Sequence, residues 1–247
     1  MTRGQRLGLF ALGAAGLGAL LVWGVLGLPA FGHYAGPYGE IVVRVVEPQR
    51  HIANAVTAVV FDYRGFDTMG EELILFATAS SVAMLLRETR AHDTEDIVDR
   101  VRSDAINGAG VLATVATFLI GLDVVAHGFV TPGGGFQGGV VLAAAVVLVF
   151  FAVEYYAYAR LAPTRYVEPL EALGAAAFVA LGLASFAFGL AFLGNFVGFG
   201  VTGRIRSGGS AALVNWAAAL AVAGGFLVIF SEYLEENMAA RYGRKRP

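Results

Sequence analysis

The sequence predicts an all-α integral membrane protein that crosses the bilayer about six times. Hydrophobic residues make up 57% of the 247-residue chain and charged residues only 15%, a balance too apolar for a soluble domain. Six apolar runs approach the roughly 20 residues that a helix needs to cross the hydrocarbon core. The runs lack the period-two alternation of a membrane barrel, so we expect helices.

The first apolar run is expected to be a retained membrane anchor. It follows Arg3 and Arg6 and so resembles a signal peptide, but it is long for one, and residues 28 to 30 make a poor cleavage site. The six predicted spans cover residues 7 to 28, 69 to 86, 105 to 126, 136 to 159, 169 to 193 and 211 to 230.

The distribution of Lys and Arg predicts the orientation of the spans, because translocating these residues is disfavoured. With the N-terminus inside, twelve of the seventeen lie on the cytoplasmic side. The five that lie outside are Arg44, Arg50, Arg64, Arg204 and Arg206. We therefore expect both termini to be cytoplasmic, with the basic residues at the C-terminus close to anionic lipid headgroups.

A charged stretch divides the chain into two modules. We expect a two-helix module at 1 to 88, a cytoplasmic linker at 89 to 104, a four-helix module at 105 to 234 and a basic tail at 235 to 247. The mixed charges of the linker suit a solvated turn or a short surface helix, and a partner-binding role stays open. The apolar stretch 53 to 61 is too short to cross, so we expect an interfacial or partly inserted helix there.

The composition excludes several kinds of site. The chain has no cysteine, which removes disulfides, thiolate metal sites and Fe–S ligation. A net charge of −2, with no basic run before the tail, offers nothing for nucleic acid. We expect neither a cofactor nor a metal site.

The first of two distinctive motifs reads DYRGFDTMGE at residues 62 to 71. Asp67 or Thr68 is expected to cap the following helix, with Glu71 and Glu72 in its first turns, where the helix dipole favours carboxylates. A local ion pair and this cap are expected to fix the loop. Its structural residues are Asp62, Arg64, Gly65, Phe66, Asp67 and Thr68.

The second motif reads TPGGGFQGG at residues 131 to 139 and is expected to form the tight turn between the third and fourth spans. Its glycines recur at a small-xxx-small spacing, which lets a neighbouring backbone approach closely. A phosphate-binding loop is disfavoured because no Lys follows the glycines. The motif residues expected to shape and pack this turn are Pro132, Gly133, Gly134, Gly135, Phe136, Gly138 and Gly139.

These motifs carry a resemblance to a known family. Residues 53 to 86 resemble the end of the large A subunit of Mrp-type multisubunit sodium/proton antiporters and the small E subunit of membrane-bound hydrogenases. Residues 105 to 234 resemble the B subunit of the same antiporters, through PGGGFQGG at 132 to 139 and SGGSAALVNWAAALAVAGGFLVIF at 207 to 230. The chain is thus similar to a fusion of the two.

The resemblance implies an accessory subunit of a complex that exchanges Na⁺ for H⁺ across the plasma membrane of a prokaryote. Its partners would be large antiporter-like subunits and small C-, E-, F- and G-like subunits, and any redox chemistry would lie on those partners. The alternatives are a hydrogenase-like or other respiratory complex that pumps ions, and a structural scaffold. Relatives often carry a charge where this chain has Ala221, which leaves Asn215 as the only strongly polar residue of the last span.

Four ionisable residues are candidates for a proton or ion pathway, because an ionisable group inside a span is costly and often functional. Glu71 lies in the matched motif, and Glu72 points about 100° away around the helix, toward the same site or toward water. Asp123 and His127 are spaced i, i+4 near the outer end of the third span, where they could exchange a proton or simply meet water.

Further carboxylates lie near the predicted cytoplasmic ends of the spans. Glu154 stands beside a group of tyrosines, Tyr158 among them, that suits an aromatic belt at the membrane interface. Glu168 and Glu171 share the first turn of the fifth predicted span, where the helix dipole favours them. A route for proton uptake at these two residues is the alternative.

Overall fold

The computed structural model describes residues 3–28, 36–89 and 103–242, and over these residues it is helical apart from connecting loops and one isolated bridge between Gly200 and Ser207. The helices are α1 (Arg3–Leu26), α2 (Tyr38–Arg50), α3 (Ala55–Ala58), α4 (Gly65–Thr89), α5 (Asp104–Ala126), α6 (Gly135–Val153), α7 (Tyr155–Leu161), α8 (Thr164–Ala184) and α9 (Ser210–Tyr242). Six of them, α1, α4, α5, α6, α8 and α9, are long and apolar enough to cross a membrane. The predicted all-α, polytopic class is confirmed.

The chain divides into two units, Met1–Ile41 and Val42–Pro247. The first unit holds α1, which has no buried residue and exposes large apolar side chains such as Phe10 and Trp23. Side chains of this kind suit a lipid environment. The residues of the weak cleavage site at 29 and 30 lie outside the described part of the chain, so the retained anchor stays a prediction.

In the second unit, α9 forms the centre. In its most apolar stretch of 18 residues, 67% of the residues are buried, and the helix packs against α4, α6 and α8. Its sequence is rich in small residues, and buried positions such as Ala218 and Val222 allow the neighbouring backbones to come close. The helix runs to Tyr242, well beyond the apolar run 211 to 230, so residues 235 to 242 of the expected tail are helical.

The predicted linker at 89 to 104 is described only at its ends, because residues 90 to 102 lie outside the described part of the chain. Ser103 caps α5 by accepting a hydrogen bond from the amide of Ile106. Although α4 was assigned to the first module, it packs on α8 and α9 of the second. The division of the chain into a two-helix module and a four-helix module therefore stays a prediction from the sequence.

The fourth predicted span is not one helix. α6 ends at Val153, and Glu154 has φ = +75°, a conformation that few residues other than glycine adopt. The chain then continues as the short helix α7. Glu154 thus lies at a bend, and the expectation of a single span over residues 136 to 159 is wrong.

Tyr158 does not join an interface belt, so that expectation is wrong for this residue. Its side chain is only 2% exposed and packs against the rings of Phe150 and Phe230. Its hydroxyl lies 2.7 Å from Oγ of Ser231. Burial raises the pKa of Tyr158 to about 12, because ionisation would place a charge in this apolar contact.

The fifth predicted span is shifted. α8 begins at Thr164, five residues before the predicted start, and ends at Ala184 with a 3₁₀ turn, Ser185–Phe188. Gly189, with φ = +71°, then ends the helical path. The apolar residues after it form an irregular loop that leads to α9, and Asn195 in this loop accepts hydrogen bonds from the backbone and the side chain of Ser210.

Candidate functional site

The two sequence motifs are brought together through the short helix α3. With the π-helical turn Val59–Tyr63 that follows, α3 makes most of the apolar stretch 53 to 61 helical, while its position at the membrane interface stays a prediction. Asn54 caps α3, and its Nδ2 also donates to the carbonyl oxygens of Gly128 and Thr131, each at 2.9 Å. The hydroxyl of Thr57 donates to the carbonyl oxygen of Gly133 at 3.4 Å. The segment before the first motif is therefore fastened directly to the turn of the second. We call this junction the motif crossing.

Asn215 on α9 completes the motif crossing. Its Oδ1 accepts a hydrogen bond from the amide of Gly135 at 2.6 Å, and its Nδ2 donates to the carbonyl oxygen of Val125 at 3.0 Å. The side chain is buried. A single amide thus joins α5, α6 and α9, and both of its ends are committed to structural hydrogen bonds.

The glycines of the second motif permit close backbone contact on two sides of α6. A Cβ at Gly138 would lie 2.3 Å from Cγ2 of Val125 on α5, whereas one at Gly139 would lie 2.8 Å from the carbonyl oxygen of Ala219 on α9. Gly134 has φ = +136°, which favours glycine. The small-xxx-small spacing therefore places α6 in contact with both neighbours.

The loop of the first motif is fixed differently from the expectation. α4 begins at Gly65, so Asp67 and Thr68 lie inside its first turn, and the expectation that one of them caps the helix is wrong. The hydroxyl of Thr68 instead donates to the carbonyl oxygen of Val60 at 2.6 Å. Asp67 forms the expected local ion pair with Arg64.

Asp62 pairs outside the motif, with Arg50 at the end of α2. The Nε atom of Arg50 lies 2.9 Å from Oδ1 of Asp62. Burial raises the pKa of Asp62, and the hydrogen bond and charge of Arg50 offset only part of that effect. The pair therefore ties the turn before α4 to α2.

The two adjacent glutamates of α4 have different environments. Glu71 is exposed on the surface of this chain, whereas Glu72 is 2% exposed. Neither carboxylate oxygen of Glu72 has a hydrogen-bond partner among the described residues. An ionisable group buried inside a span is the kind that marks an ion pathway, so of these two candidates the structure favours Glu72.

Asp123 and His127 form a pair at the end of α5, with Nδ1 of His127 2.8 Å from Oδ1 of Asp123. Their side chains are 68% and 36% exposed, respectively, so both can meet water. A cavity of about 620 Å³ beside His127 is lined by Arg204 and Arg206 of the loop before α9. The pair thus lies at an accessible, basic surface.

A second group of charged residues lies at the ends of α4, α8 and α9 that are farther from the motif crossing. The sequence alone did not predict that these residues form a group. Arg87 on α4 forms ion pairs with Glu168 on α8 and with Glu232 on α9, and Glu232 is fully buried. Glu232 is the second residue after the sixth apolar run, and the sequence gave no separate indication of its role. Beside this group, Glu171 on α8 is 4% exposed.

The described residues contain no group of three or more His, Cys, Asp or Glu side chains that could hold a metal ion. The ionisable residues instead occur as pairs, as the three-helix group around Arg87, and as the buried carboxylates Glu72 and Glu171. Chemistry available to such groups is proton exchange and the electrostatic attraction of cations.

The fold and these buried charges define a multi-pass helical membrane protein with ionisable groups inside its spans. Residues 105–228 match the family described as a domain related to the MnhB subunit of Na⁺/H⁺ antiporter. The chain belongs to this family. The matched residues comprise α5 to α8 and more than half of α9, including the second motif and Asn215.

Comparison with known proteins extends this relationship. A chain of the membrane-bound sulfane sulfur reductase, an archaeal respiratory membrane complex, is similar with a TM-score of 0.72 and 30% identity, over 93% of this chain and 98% of that one. The Mrp complex from Dietzia sp. DQ12-45-1b contains a chain of the same fold, with a TM-score of 0.71 and 20% identity over 100% of this chain and 27% of that one.

An uncharacterized protein of Methanocaldococcus jannaschii is 33% identical over 165 residues, or 59% of this chain. The chain spans 61% of the length of that relative. Structures with the same fold thus occur in both a respiratory complex and an Mrp complex.

Proposed function

We propose that the chain is an accessory membrane subunit of an Mrp-like complex that exchanges Na⁺ for protons, and that it helps to form or seal the ion-translocation domain. The observation that carries this proposal is the family match of residues 105–228. The protein is then a companion to larger subunits, in the plasma membrane of a prokaryote and with both termini in the cytoplasm.

The motif crossing supports the sealing part of this proposal. Close backbone contact at Gly138 and Gly139 and the bridging amide of Asn215 leave α5, α6 and α9 in direct contact. Tight packing of this kind excludes water from the space between the helices. A tightly packed boundary without water would confine ions to a pathway formed by other subunits of the complex.

The exposed surface of the spans supports a role beside partners. In the most apolar stretch of 18 residues, only 17% of the residues of α4 and 11% of those of α5 are buried within this chain. Glu71 is exposed about two turns into α4, and an uncompensated carboxylate facing lipid at that depth is costly. A neighbouring subunit that covers this face of α4 would remove the cost. The expected neighbours are large antiporter-like and small C-, E-, F- and G-like subunits.

A second candidate is a membrane-arm subunit of a respiratory complex, in which redox chemistry on partner subunits drives ion movement. The near full-length match to a chain of the sulfane sulfur reductase complex favours it. Neighbouring genes for Fe–S or other redox subunits would support this candidate, whereas neighbouring genes for antiporter subunits alone would support the first. Under either candidate, we propose that residues 53 to 86 represent the A- or E-like segment of a fused subunit.

The test is to delete the chain in its host and to tag it for purification in mild detergent. We expect large antiporter-like subunits to copurify, and we expect deletion to abolish complex assembly and sodium-dependent proton exchange together. Exchange that persists in an intact complex without this chain would contradict the proposal. Robust cation-coupled pH changes by the purified chain alone in vesicles would contradict its role as a companion.

A further inference from the structure

A groove opens between α4, α8 and α9 on the predicted cytoplasmic side. It encloses a cavity of about 300 Å³, large enough for several water molecules. Its polar lining consists of Ser80 and Arg87 on α4 and of Glu168 and Glu171 on α8, and its apolar lining includes Phe76 and Val228. We call it the α4–α8–α9 groove.

The outer end of the groove is charged and accessible. Arg87 and Glu168 are both partly exposed and form an ion pair there. The Nε atom of Arg87 also donates to Oε1 of the buried Glu232 at 2.8 Å. Arg87 is therefore held between two carboxylates on two other helices.

Glu171 lies at the closed end of the same groove. It is 4% exposed, and its Oε1 has no hydrogen-bond partner among the described residues. A Cβ at Gly225 on α9 would lie 3.0 Å from this oxygen and 3.1 Å from Cγ of Leu75 on α4. The carboxylate thus faces the glycine surface of α9, with Leu75 beyond it.

The backbone around Glu171 is packed to hold it in this place. A Cβ at Gly224 would lie 2.6 Å from the amide nitrogen of Glu171, so only a glycine lets α8 approach α9 here without displacement. A carboxylate with a buried, unpaired oxygen is unfavourable when charged unless water or a proton reaches it. The groove provides the path by which either can arrive.

We propose that Glu171 is a proton-binding site that takes up protons from the predicted cytoplasmic side through the α4–α8–α9 groove. A hydronium ion in the groove transfers its proton to the carboxylate, which leaves a neutral carboxylic acid and a water molecule. The charged groups that face this site are Arg87 on α4, Glu168 on α8 and Glu232 on α9, while Glu72 lies about one turn beyond Leu75 on α4. The proposal deepens the proposed function and depends on it for the coupling to cation exchange.

The first test measures whether water enters the groove. The chain has no cysteine, so a single introduced thiol is the only thiol of this chain that can react, and its labelling is measured on the chain after it is separated from the other subunits. Ser80 lines the groove, whereas the adjacent Ser81 lies at the same depth on an exposed face outside it. In everted membrane vesicles that contain the full complex, a membrane-impermeant methanethiosulfonate should label Ser80→Cys about tenfold faster than Ser81→Cys, because the thiolate forms where water reaches it.

Equal rates for the two cysteine variants, or labelling of Ser80→Cys only from the opposite side of the membrane, would overturn the proposed access route. This readout does not depend on transport activity. It therefore decides whether water reaches the groove even if the complex has a function other than cation exchange.

The second test measures proton exchange by the whole complex. Glu171→Gln removes the proton-binding group with almost no change in shape, and Glu154→Gln makes the same change at the bend between α6 and α7, outside the groove. We expect Glu171→Gln to lower exchange by about tenfold or more and to flatten its pH dependence, as for the loss of a proton-transfer group, with Glu154→Gln close to wild type.

An assembled Glu171→Gln complex with the exchange rate and pH profile of the wild type would overturn the inference and leave the proposed function intact. By contrast, normal exchange after deletion of the whole chain would overturn the proposed function itself. The two failures are therefore distinguishable.

Discussion

Gly135 and Asn215 are in contact at the start of α6: a Cβ added to Gly135 would lie 2.1 Å from the carbonyl oxygen of Asn215. That separation is far below any van der Waals contact, so only glycine fits at this position without movement of α9. The same pair shares the 2.6 Å hydrogen bond from the Gly135 amide to Asn215 Oδ1. The motif crossing therefore depends on both residues at once.

Gly135→Ala should destabilise the protein because its methyl group must push α6 away from α9. Overpacking of this kind costs about 1–3 kcal/mol. Gly108→Ala is the matched control, since a Cβ there meets nothing within 4 Å and alanine favours a helix. Thermal unfolding of the purified variants in detergent measures the difference. Equal melting temperatures for the two variants would contradict the close contact.

Asn215→Ala should also lower stability, because it leaves the Gly135 amide and the Val125 carbonyl without their shared partner. Each buried polar group left unpaired costs about 1–3 kcal/mol. Asn237→Ala, at an exposed position on the same helix, should change stability by far less. Chemical unfolding in detergent compares the two variants, and a smaller loss at position 215 than at 237 would refute the bridging role.

Arg87→Ala should be one of the more damaging single substitutions because it removes the guanidinium that pairs with buried Glu232. Glu232 is fully buried but Arg87 is 43% exposed, so we expect a cost between the about 1 kcal/mol of an exposed pair and the about 3–5 kcal/mol of a fully buried one. Arg64→Ala breaks the exposed pair with Asp67, for which about 1 kcal/mol or less is expected. Equal stability of the two arginine variants in unfolding measurements would show that burial does not determine how much each ion pair contributes to the stability of the protein.

Tyr158 should make the stability of the protein fall at high pH. Its pKa is raised from 10.0 to about 12, so between these values the folded chain keeps a proton that the unfolded chain releases. The stability that this contributes is fully present below pH 10 and is lost as the pH rises toward 12. Unfolding measured across this range should show a weaker loss for Tyr158→Phe than for wild type.

Tyr156→Phe is the control for that experiment, since Tyr156 is exposed and belongs to the same short helix. It should retain the pH dependence of the wild type. A Tyr158→Phe variant that keeps the full loss of stability above pH 10 would show that other groups are responsible.

Glu72→Gln and Glu71→Gln should separate two effects in the assembled complex. If the proposed function holds, the buried Glu72 contributes to ion passage, so Glu72→Gln should reduce sodium-dependent proton exchange without loss of assembly. Glu71→Gln changes an exposed group and should instead alter copurification of the neighbouring subunit. Exchange assays and subunit recovery from the same preparations test both, and identical behaviour of the two variants would contradict the difference in their environments.

Several features of the fold follow from local sequence. A span needs a continuous apolar stretch, so the six spans could be located from hydropathy. The glycines of TPGGGFQGG likewise predict a tight turn and close packing, because no other residue combines positive φ with so small a side chain. The ends of the spans were less predictable. The bend at Glu154 has a positive φ at a residue other than glycine, which no local pattern indicates, and α8 passes into a 3₁₀ turn that Gly189 ends inside the predicted span.

The sequence by itself determined that this is a helical membrane protein of six spans, and its two motifs indicated the MnhB-related family. Only the tertiary structure decided that Glu72 faces inward and Glu71 outward, and that Arg87 meets Glu232. In a membrane span, apolar residues surround the helix on all sides, so hydropathy carries no signal for the rotation of a helix about its axis. That rotation is set by packing against α9, and pairs 145 residues apart become neighbours only when the helices assemble.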